Sequence, residues 1–379
     1  MDEKRTGALQ EESVHFSVSK DVFYNPKMRF CRSMSSLALG AIGEMCPDKL
    51  EVVDAFTASG IRGIRYAKEN RNVKKLTFLD IDKSAIALAK KNAKTNKLKR
   101  TSSICANISK VAFVNVADFL EIDPFGTPSP YLADSMRFFN PKKTAFLSVT
   151  ATDVAVLCGG KLAACMKNYQ AKPLNSSITH EIGLRIMMRR MVDVAAEFNL
   201  GLEPLISFSD QHYLKSIVRL TRSAEKAFEA QSKTGFISFC GKCGWRGSGR
   251  FPPPSCPFCG APSGKDGIDY AGPLWLGELH DADILDKMVL LNNARDYADK
   301  ERLGGFIALL QGEVGLPQYY YNMHELSRLQ GIQPVKKMAD ALKSITDTGF
   351  IARRTHFSPV SIKTDAPYDI VLKAMRGPS

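Results

Sequence analysis

The stretch EVVDAFTASGIRGIR (51–65) runs from a β-branched strand through a turn of small residues into the first turn of a helix. Asp54 closes the strand, Ala58, Ser59 and Gly60 allow a tight turn, and Ile61 opens the helix. The same alternation continues outward. Lys75–Asp80 (KLTFLD), Phe119–Asp123 (FLEID) and Thr144–Thr150 (TAFLSVT) read as further strands, and IRGIRYAKEN and DKSAIALAKKNAKTN have helical spacing. A long helix is expected over Glu181–Asn199, followed by strands at Leu205–Asp210 and Ser216–Leu220. Short apolar runs alternating with amphipathic helices predict an α/β, Rossmann-like domain around a largely parallel sheet.

A turn of this kind at the carboxyl edge of a parallel sheet lines a crevice with backbone N–H groups, where nucleotide-like ligands dock. Asp80, at the end of the next strand, is placed to hold ribose hydroxyls. Phe56 and Ala58 stand where a dinucleotide fingerprint wants glycine. That disfavours NAD and leaves S-adenosylmethionine, which has no pyrophosphate to accommodate. A tight strand-to-helix connection with no ligand is the alternative.

The 379 residues leave room for more than one domain, and 44% hydrophobic with 24% charged residues is ordinary for a folded chain. A net charge of +13 makes a polyanion the leading class of partner. No run approaches the roughly 18 apolar residues of a spanning helix. The polar start MDEKRTGALQEESVHF has no signal-peptide core, so a cytoplasmic protein without a membrane partner is expected. Nine cysteines, an odd count, argue against a fully paired disulfide framework.

FLEIDPFGTPSPYLADS (119–135) carries the chemistry. Asp123 ends a buried strand, Pro124 stiffens the exit, and Phe125 and Gly126 open a proline-rich turn. A carboxylate in that setting suits an exocyclic base amine: it orients the N–H, draws off the proton, and lets the nitrogen lone pair attack a sulfonium methyl. The aromatic ring offers a stacking face for an extracted base, worth about 1–3 kcal/mol. An Asp-Pro turn with a core phenylalanine is the competing interpretation.

Composition shifts after Lys233, where Gly, Pro and Cys become dense, and the domain boundary is drawn near Ser232. Cys240-x2-Cys243 and Cys256-x2-Cys259 are separated by twelve residues, each pair followed by a glycine (Gly244, Gly260). Two such knuckles complete a closed tetrahedral site, the pattern of a structural Zn2+ in a zinc ribbon rather than a catalytic metal. Tyr321–Leu329 and Pro334–Ile345 read as helices, and RRTHFSPVSIKTDAP (353–367) as a β-ribbon, a winged-helix-like unit of the kind that meets nucleic acid. Arg353, Arg354, His356 and Lys363 are candidate phosphate contacts; KKNAKTNKLKR (90–100) fits a solvated helix face better than a binding patch.

VFYNPKMRFCR (22–32), DAFTASGIRGIRYAKE (54–69), DPFGTPSPYLADS (123–135), VTATDVAVLCG (149–159), HEIGLRI (180–186), YAGPLWLGEL (270–279) and RTHFSPVSIKTDAP (354–367) occur in that order along nearly the whole chain. Together they resemble the tRNA (guanine-26) N2-dimethyltransferase family. The resemblance implies a class I methyltransferase domain; with the boundary drawn near Ser232 it spans 1–232, and 233–379 are expected to form a smaller α+β, tRNA-binding domain. It also implies S-adenosylmethionine as donor and a tRNA guanine N2 as acceptor; no obligate protein partner is expected. Carried over by position, Arg32, Arg62 and Asp80 contact the cofactor, Asp123 is the catalytic carboxylate, and Phe23 and Phe125 sandwich the guanine. Arg62 is assigned to the methionine carboxylate, Arg65 to a structural role, and Asp54 ranks behind Asp80 for the cofactor. Cys105-Ala106-Asn107 aligns with the family's adenine-contacting Asp-Ala-Asn element, so a cysteine stands where the family has aspartate and the backbone must serve at 105. A DNA or ribosomal-RNA amino-methyltransferase would share the Asp-Pro-aromatic logic. A non-catalytic zinc-ribbon binder would need neither Asp80 nor Asp123.

Overall fold

The computed structural model describes residues 8–112, 116–139, 144–264 and 267–376. A hairpin of β1 (Ala8–Glu11) and β2 (Val14–Ser17) precedes α1 (Arg29–Met45). Strand β3 (Leu50–Ala55), α2 (Ile61–Glu69), β4 (Val73–Asp80), α3 (Lys83–Thr95) and β5 (Thr101–Cys105) follow. After the short α4 (Ile108–Val111) come β6 (Phe119–Ile122), α5 (Leu132–Met136), β7 (Ala145–Ala151), α6 (Val154–Leu157) and α7 (Leu162–Tyr169). The long α8 (Thr179–Glu197), β8 (Leu200–Asp210) and β9 (Tyr213–Arg222) complete the first half.

These strands form a seven-stranded sheet in the order β5-β4-β3-β6-β7-β9-β8. The first five are parallel; β9 runs antiparallel to both β7 and β8. The chain begins the sheet at β3, builds outward through β4 and β5, and then crosses back to lay β6 on the other side of β3. The crevice at that reversal is where α/β sheets bind ligands, and the carboxyl ends of β3 and β6 deliver Asp54 and Asp123 to its two sides. Strand β6 is buried on both faces (Phe119, Leu120, Glu121, Ile122). A strand covered on both sides reads as a continuous apolar run rather than an alternating one; burial of a residue such as Leu120 contributes about 2 kcal/mol.

The second half contains α9 (Ala224–Ser232), then β10 (Thr234–Cys240), β11 (Arg246–Gly249) and β12 (Ile268–Trp275), an antiparallel sheet in the order β11-β10-β12. Helices α10 (Ala282–Ala294) and α11 (Lys300–Glu313) come next. The chain ends in β13 (Tyr321–Asn322), α12 (Met323–Gln330), α13 (Met338–Thr346), β14 (Ala352–Thr355), β15 (Ser358–Thr364) and α14 (Tyr368–Met375), with sheet order β13-β15-β14. The region expected to start a helix at Tyr321 instead pairs Tyr321 and Asn322 with β15, and Asn322 then caps α12 by accepting the Glu325 N–H at 3.1 Å.

The line drawn at 232/233 falls at the end of α9, yet later elements return to the first sheet. Ile284, Leu285 and Met288 of α10 and Leu303, Ile307 and Leu310 of α11 share one core with Phe30, Met34 and Leu37 of α1 and with Phe208 of β8. That packing explains why α1 is buried continuously from Phe30 to Ile42: a helix covered on all sides carries small and apolar residues around its whole circumference. The terminal unit has a separate core built on Leu326, Ile345, Ile362 and Val371.

Candidate active site

The loop between β3 and α2 turns through three left-handed residues, Phe56 (φ 61°), Ala58 (φ 46°) and Gly60 (φ 77°). Only glycine adopts that conformation without strain, so Phe56 and Ala58 must be held there by their surroundings. Asp54 does part of this: its Oδ2 accepts the Thr57 hydroxyl at 2.7 Å and the Gly63 N–H at 3.1 Å. Complete burial raises the Asp54 pKa to about 7, against the opposing pull of those hydrogen bonds and of Arg62. Asp80 supplies the other brace, accepting the Ala58 N–H at 3.0 Å on one oxygen and the Asp82 N–H at 3.0 Å on the other.

Asp80, Cys105 and Ala106 lie together at the ends of paired strands. Asp80 is opposite Cys105, and the Ala106 N–H donates to the Asp80 carbonyl at 3.0 Å. The Cys105 thiol is exposed, 3.5 Å from the Ile81 carbonyl. Ile81, beside Asp80, is 70% exposed. A half-exposed carboxylate flanked by an uncovered apolar side chain and a small residue suits a nucleoside, which presents hydroxyls on one side and a flat ring on the other.

Across the crevice, Asp123 follows β6 and is 22% exposed at its side chain. The Arg62 guanidinium of α2 donates to its carboxylate through Nη2, while Arg62 Nε lies 3.8 Å from Glu121 Oε1. Beneath them Glu121 is fully buried, accepting Lys215 Nζ of β9 at 2.5 Å and the Tyr66 hydroxyl at 2.8 Å. Despite burial, Lys215 and Arg62 hold the Glu121 carboxyl below its ordinary range. Lys215 is closed off by Thr150 at 3.0 Å. The loop carrying Phe125 is pinned from β7: the Gly126 N–H donates to Thr152 Oγ1 at 2.8 Å, and the Thr152 N–H returns to the Gly126 carbonyl at 3.0 Å. Thr127 donates to the Tyr169 hydroxyl, which itself donates to Asp153.

Phe23 and Phe125 meet at the mouth, 54% and 77% exposed, edge to face with ring centroids 4.7 Å apart. Two parallel rings enclosing a base stand about 7 Å apart, twice the stacking distance of roughly 3.5 Å, so each ring occupies the space a base would take. Arg32 is arranged differently. It shares α1 with Cys31, whose sulfur is 3.7 Å from Arg62 Nη1, but its own guanidinium binds Glu11 of the hairpin at 2.7 and 2.5 Å. Arg65 joins the same carboxylate at 3.1 Å. The structure therefore gathers Arg62 with Asp123, Asp80 with Cys105 and Ala106, and Phe23 with Phe125, and it gives Arg32 to Glu11. Sequence reasoning missed Glu11, Glu121, Lys215 and Thr152. For Glu121 and Lys215 the available signal was a charged residue inside an apolar strand, as in FLEI and YLKSIVRL; Glu11 and Thr152 carry no such local signal.

The profile of the N2,N2-dimethylguanosine tRNA methyltransferase family matches residues 4–376. The chain belongs to this family. It is similar to the tRNA (guanine(26)-N(2))-dimethyltransferase of Thermococcus kodakarensis, 36% identical over 94% of this chain and 93% of that protein. The enzyme of the same name from Methanobrevibacter smithii is 32% identical over 91% and 89%. Trm1 from Pyrococcus horikoshii, solved with S-adenosyl-L-methionine, superposes with a TM-score of 0.87 at 28% identity, covering 98% of this chain and all of that one.

In this member of the dimethylguanosine methyltransferase family, Cys240, Cys243, Cys256 and Cys259 converge with all four sulfurs within 4.8 Å of one another. Cys240 and Cys259 are 3.7 Å apart, and Cys243 and Cys256 3.6 Å. Four sulfurs about 2.3 Å from one zinc lie about 3.8 Å from each other, so the donor set fits that ion. Gly244 (φ 82°) and Gly260 (φ 71°) close the knuckles on the carbonyls of Cys240 and Cys256 at 2.8 and 2.9 Å. At Gly244 a Cβ would also come within 2.6 Å of Leu326. A second cluster, His280, Glu313 and His356, sits at the joint of β8, α11 and the β14–β15 turn. There Glu313 accepts Thr355 Oγ1 at 2.8 Å and the His356 N–H at 2.7 Å, and Lys363 stands 3.8 Å away. An ammonium beside the carboxylate makes this cluster a buried anchor rather than a cation site; His356 and Lys363, expected to contact phosphate, are instead turned inward onto Glu313 and Glu181, and only Arg353 and Arg354 of that set are exposed.

No helix among the described residues is long and apolar enough to cross a membrane.

Proposed function

We propose that this protein transfers methyl groups from S-adenosylmethionine to the exocyclic N2 of guanine 26 in tRNA. The observation that carries the reading is Asp123: a carboxylate at the sheet's reversal point, below two uncovered aromatic rings and against Arg62. When bound, the cofactor supplies an electrophilic sulfonium methyl. Asp80 holds its ribose, the Cys105-Ala106 backbone and Ile81 border its adenine, and Arg62 meets its carboxylate. Arg32 acts from behind, fixing the hairpin and α1 on which Arg62 rests through Cys31. Phe23 and Phe125 part to receive the guanine. Asp123 would then accept an N2 proton as the nitrogen lone pair takes the methyl and the methyl–sulfur bond breaks, its electrons staying on the departing thioether. Once Asp123 has passed that proton to solvent and a second donor has bound, a second round on the same amine would give the dimethyl product.

Residues 1–232 serve as the methyltransferase domain and 233–379 as the tRNA-binding domain, with α10 and α11 fastening the second to the first. Cys240, Cys243, Cys256 and Cys259 hold a structural zinc in a zinc ribbon. The β13–β15–β14 sheet with α12 and α13 acts as a winged-helix-like unit on tRNA phosphates. The net charge of +13 supports this partner, and a cytoplasmic site of action goes with the tRNA reading. The test is transfer of labelled methyl to unmodified tRNA transcripts, with the product nucleoside identified by mass spectrometry. A product methylated anywhere but guanine N2 overturns the proposal.

A further inference from the structure

We infer that Glu121 and Lys215 are a positioning pair that sets how strongly Arg62 holds Asp123, and so how readily Asp123 takes a proton. This rests on the proposed role of Asp123. The geometry is specific. Glu121 and Asp123 are two residues apart at the end of one strand, and both face the single guanidinium of Arg62. A carboxylate locked onto an arginine alone is a poor base, because the cation stabilises its charged form. Glu121 competes for that cation, and a second nearby negative charge raises the proton affinity of Asp123. Glu121 remains an anion inside the sheet because two cations face it, Arg62 and the fully buried Lys215 at 2.5 Å, and Lys215 takes up part of its charge.

The other groups facing this cluster leave the pair in control. From α2, Tyr66 donates to Glu121 and remains neutral, its pKa raised by burial and by that carboxylate. From α1 comes the Cys31 thiol, and from β9 Tyr213, whose hydroxyl donates to Asp210 at 3.2 Å. From β3 comes Asp54, which holds its proton up to about pH 7 and adds no charge at the acidic pH where carboxylates titrate. A buried ion pair is weak support for stability; at this position it tunes a neighbour.

The test is the titration of Asp123 in the full cofactor-free chain, followed by carboxyl-carbon NMR on aspartate-labelled protein. The resonance is identified by its loss in Asp123→Asn. In Glu121→Gln the titration is expected to fall by about one pH unit, because Arg62 then leans on Asp123 alone. In Lys215→Met it is expected to rise, because Glu121 then draws Arg62 more strongly. A pair that only holds the fold lowers the melting temperature in both variants without opposed displacements, and that result, or an unmoved Asp123 in Glu121→Gln, overturns the inference. Where Glu121→Gln is too unstable to purify, Glu121→Asp leaves Lys215 a charge to pair with and withdraws from Arg62. A smaller downward displacement is expected there, and none at all overturns the inference. The acid limb of kcat should move in the same sense as the titration. The titration needs neither cofactor nor RNA, so its failure is distinct from failure of the tRNA reading.

Discussion

The Arg62 guanidinium donates directly to the Asp123 carboxylate, joining the first turn of α2 to the end of β6 across 61 residues of sequence. The contact puts the proposed acceptor of the amine proton and the proposed anchor of the cofactor carboxylate within one hydrogen bond. Replacing Asp123 by Ala removes the acceptor and leaves Asp80, Ile81 and Ala106 in place. Cofactor affinity is expected to stay within a few-fold, while kcat falls by about 10²–10⁴-fold, the usual contribution of a general base. Isothermal titration and single-turnover methyl transfer separate the two. Near-normal turnover would remove Asp123 from the mechanism.

The two rings at the mouth make a separate claim. Phe125→Ala takes away one stacking face and also frees Phe23 from its edge-to-face partner. Loss of about 1–3 kcal/mol of stacking is expected to appear in the KM for tRNA, with cofactor affinity unchanged. A variant with wild-type KM would show that the base is held elsewhere.

Cys240→Ala deletes one of four converging sulfurs from a cluster whose apolar core besides the cysteines is Ala261 and Ile268, with the half-buried Trp245 against it. Such a small core relies on its ion. Zinc content measured by atomic emission should drop from one per chain toward none, and the melting temperature should fall by several degrees. Unchanged metal content and melting temperature would refute a structural zinc.

Asp54 predicts an unusual pH dependence. Its folded pKa is raised to about 7, above the roughly 3.9 of an unfolded aspartate. Between those values the folded state binds the extra proton, so this residue's contribution to stability declines as pH rises and levels off above about 7. Asp54→Asn keeps an oxygen for the Gly63 N–H and removes the titration. The melting temperature of the variant relative to the wild type should therefore increase from pH 5 to pH 8. A difference independent of pH would place the Asp54 proton elsewhere.

Much of this was legible because it is local. Strands β3, β4, β6 and β7 each lie within two residues of the apolar runs that announce them, and Asp80 and Asp123 sit at strand ends where a turn follows at once. The cysteine knuckles are equally local, their glycines demanded by a left-handed turn. What escaped depends on contacts between distant segments. Glu11 looks like any exposed strand residue until the hairpin folds over α1 and brings it to Arg32 and Arg65. Lys215 reads as a solvated charge until β9 is enclosed between β7 and β8. The missing glycines of the β3 loop mislead in a subtler way. Phe56 and Ala58 take left-handed angles despite their side chains, because Asp54 and Asp80 hold that loop from both ends.

The enclosure of α1 by α10 and α11 has a consequence for biosynthesis. Helix α1 ends at Met45, and the helices that cover it begin at Ala282, more than two hundred residues later. At roughly 5–20 residues per second, Leu37 and its neighbours wait some tens of seconds on the ribosome before their cover is translated. A chain released at residue 232 would carry the first sheet with the apolar flank of α1 open, the kind of uncovered surface that favours aggregation. The first sheet of this protein thus reaches its packed form only once α10 and α11 have been made.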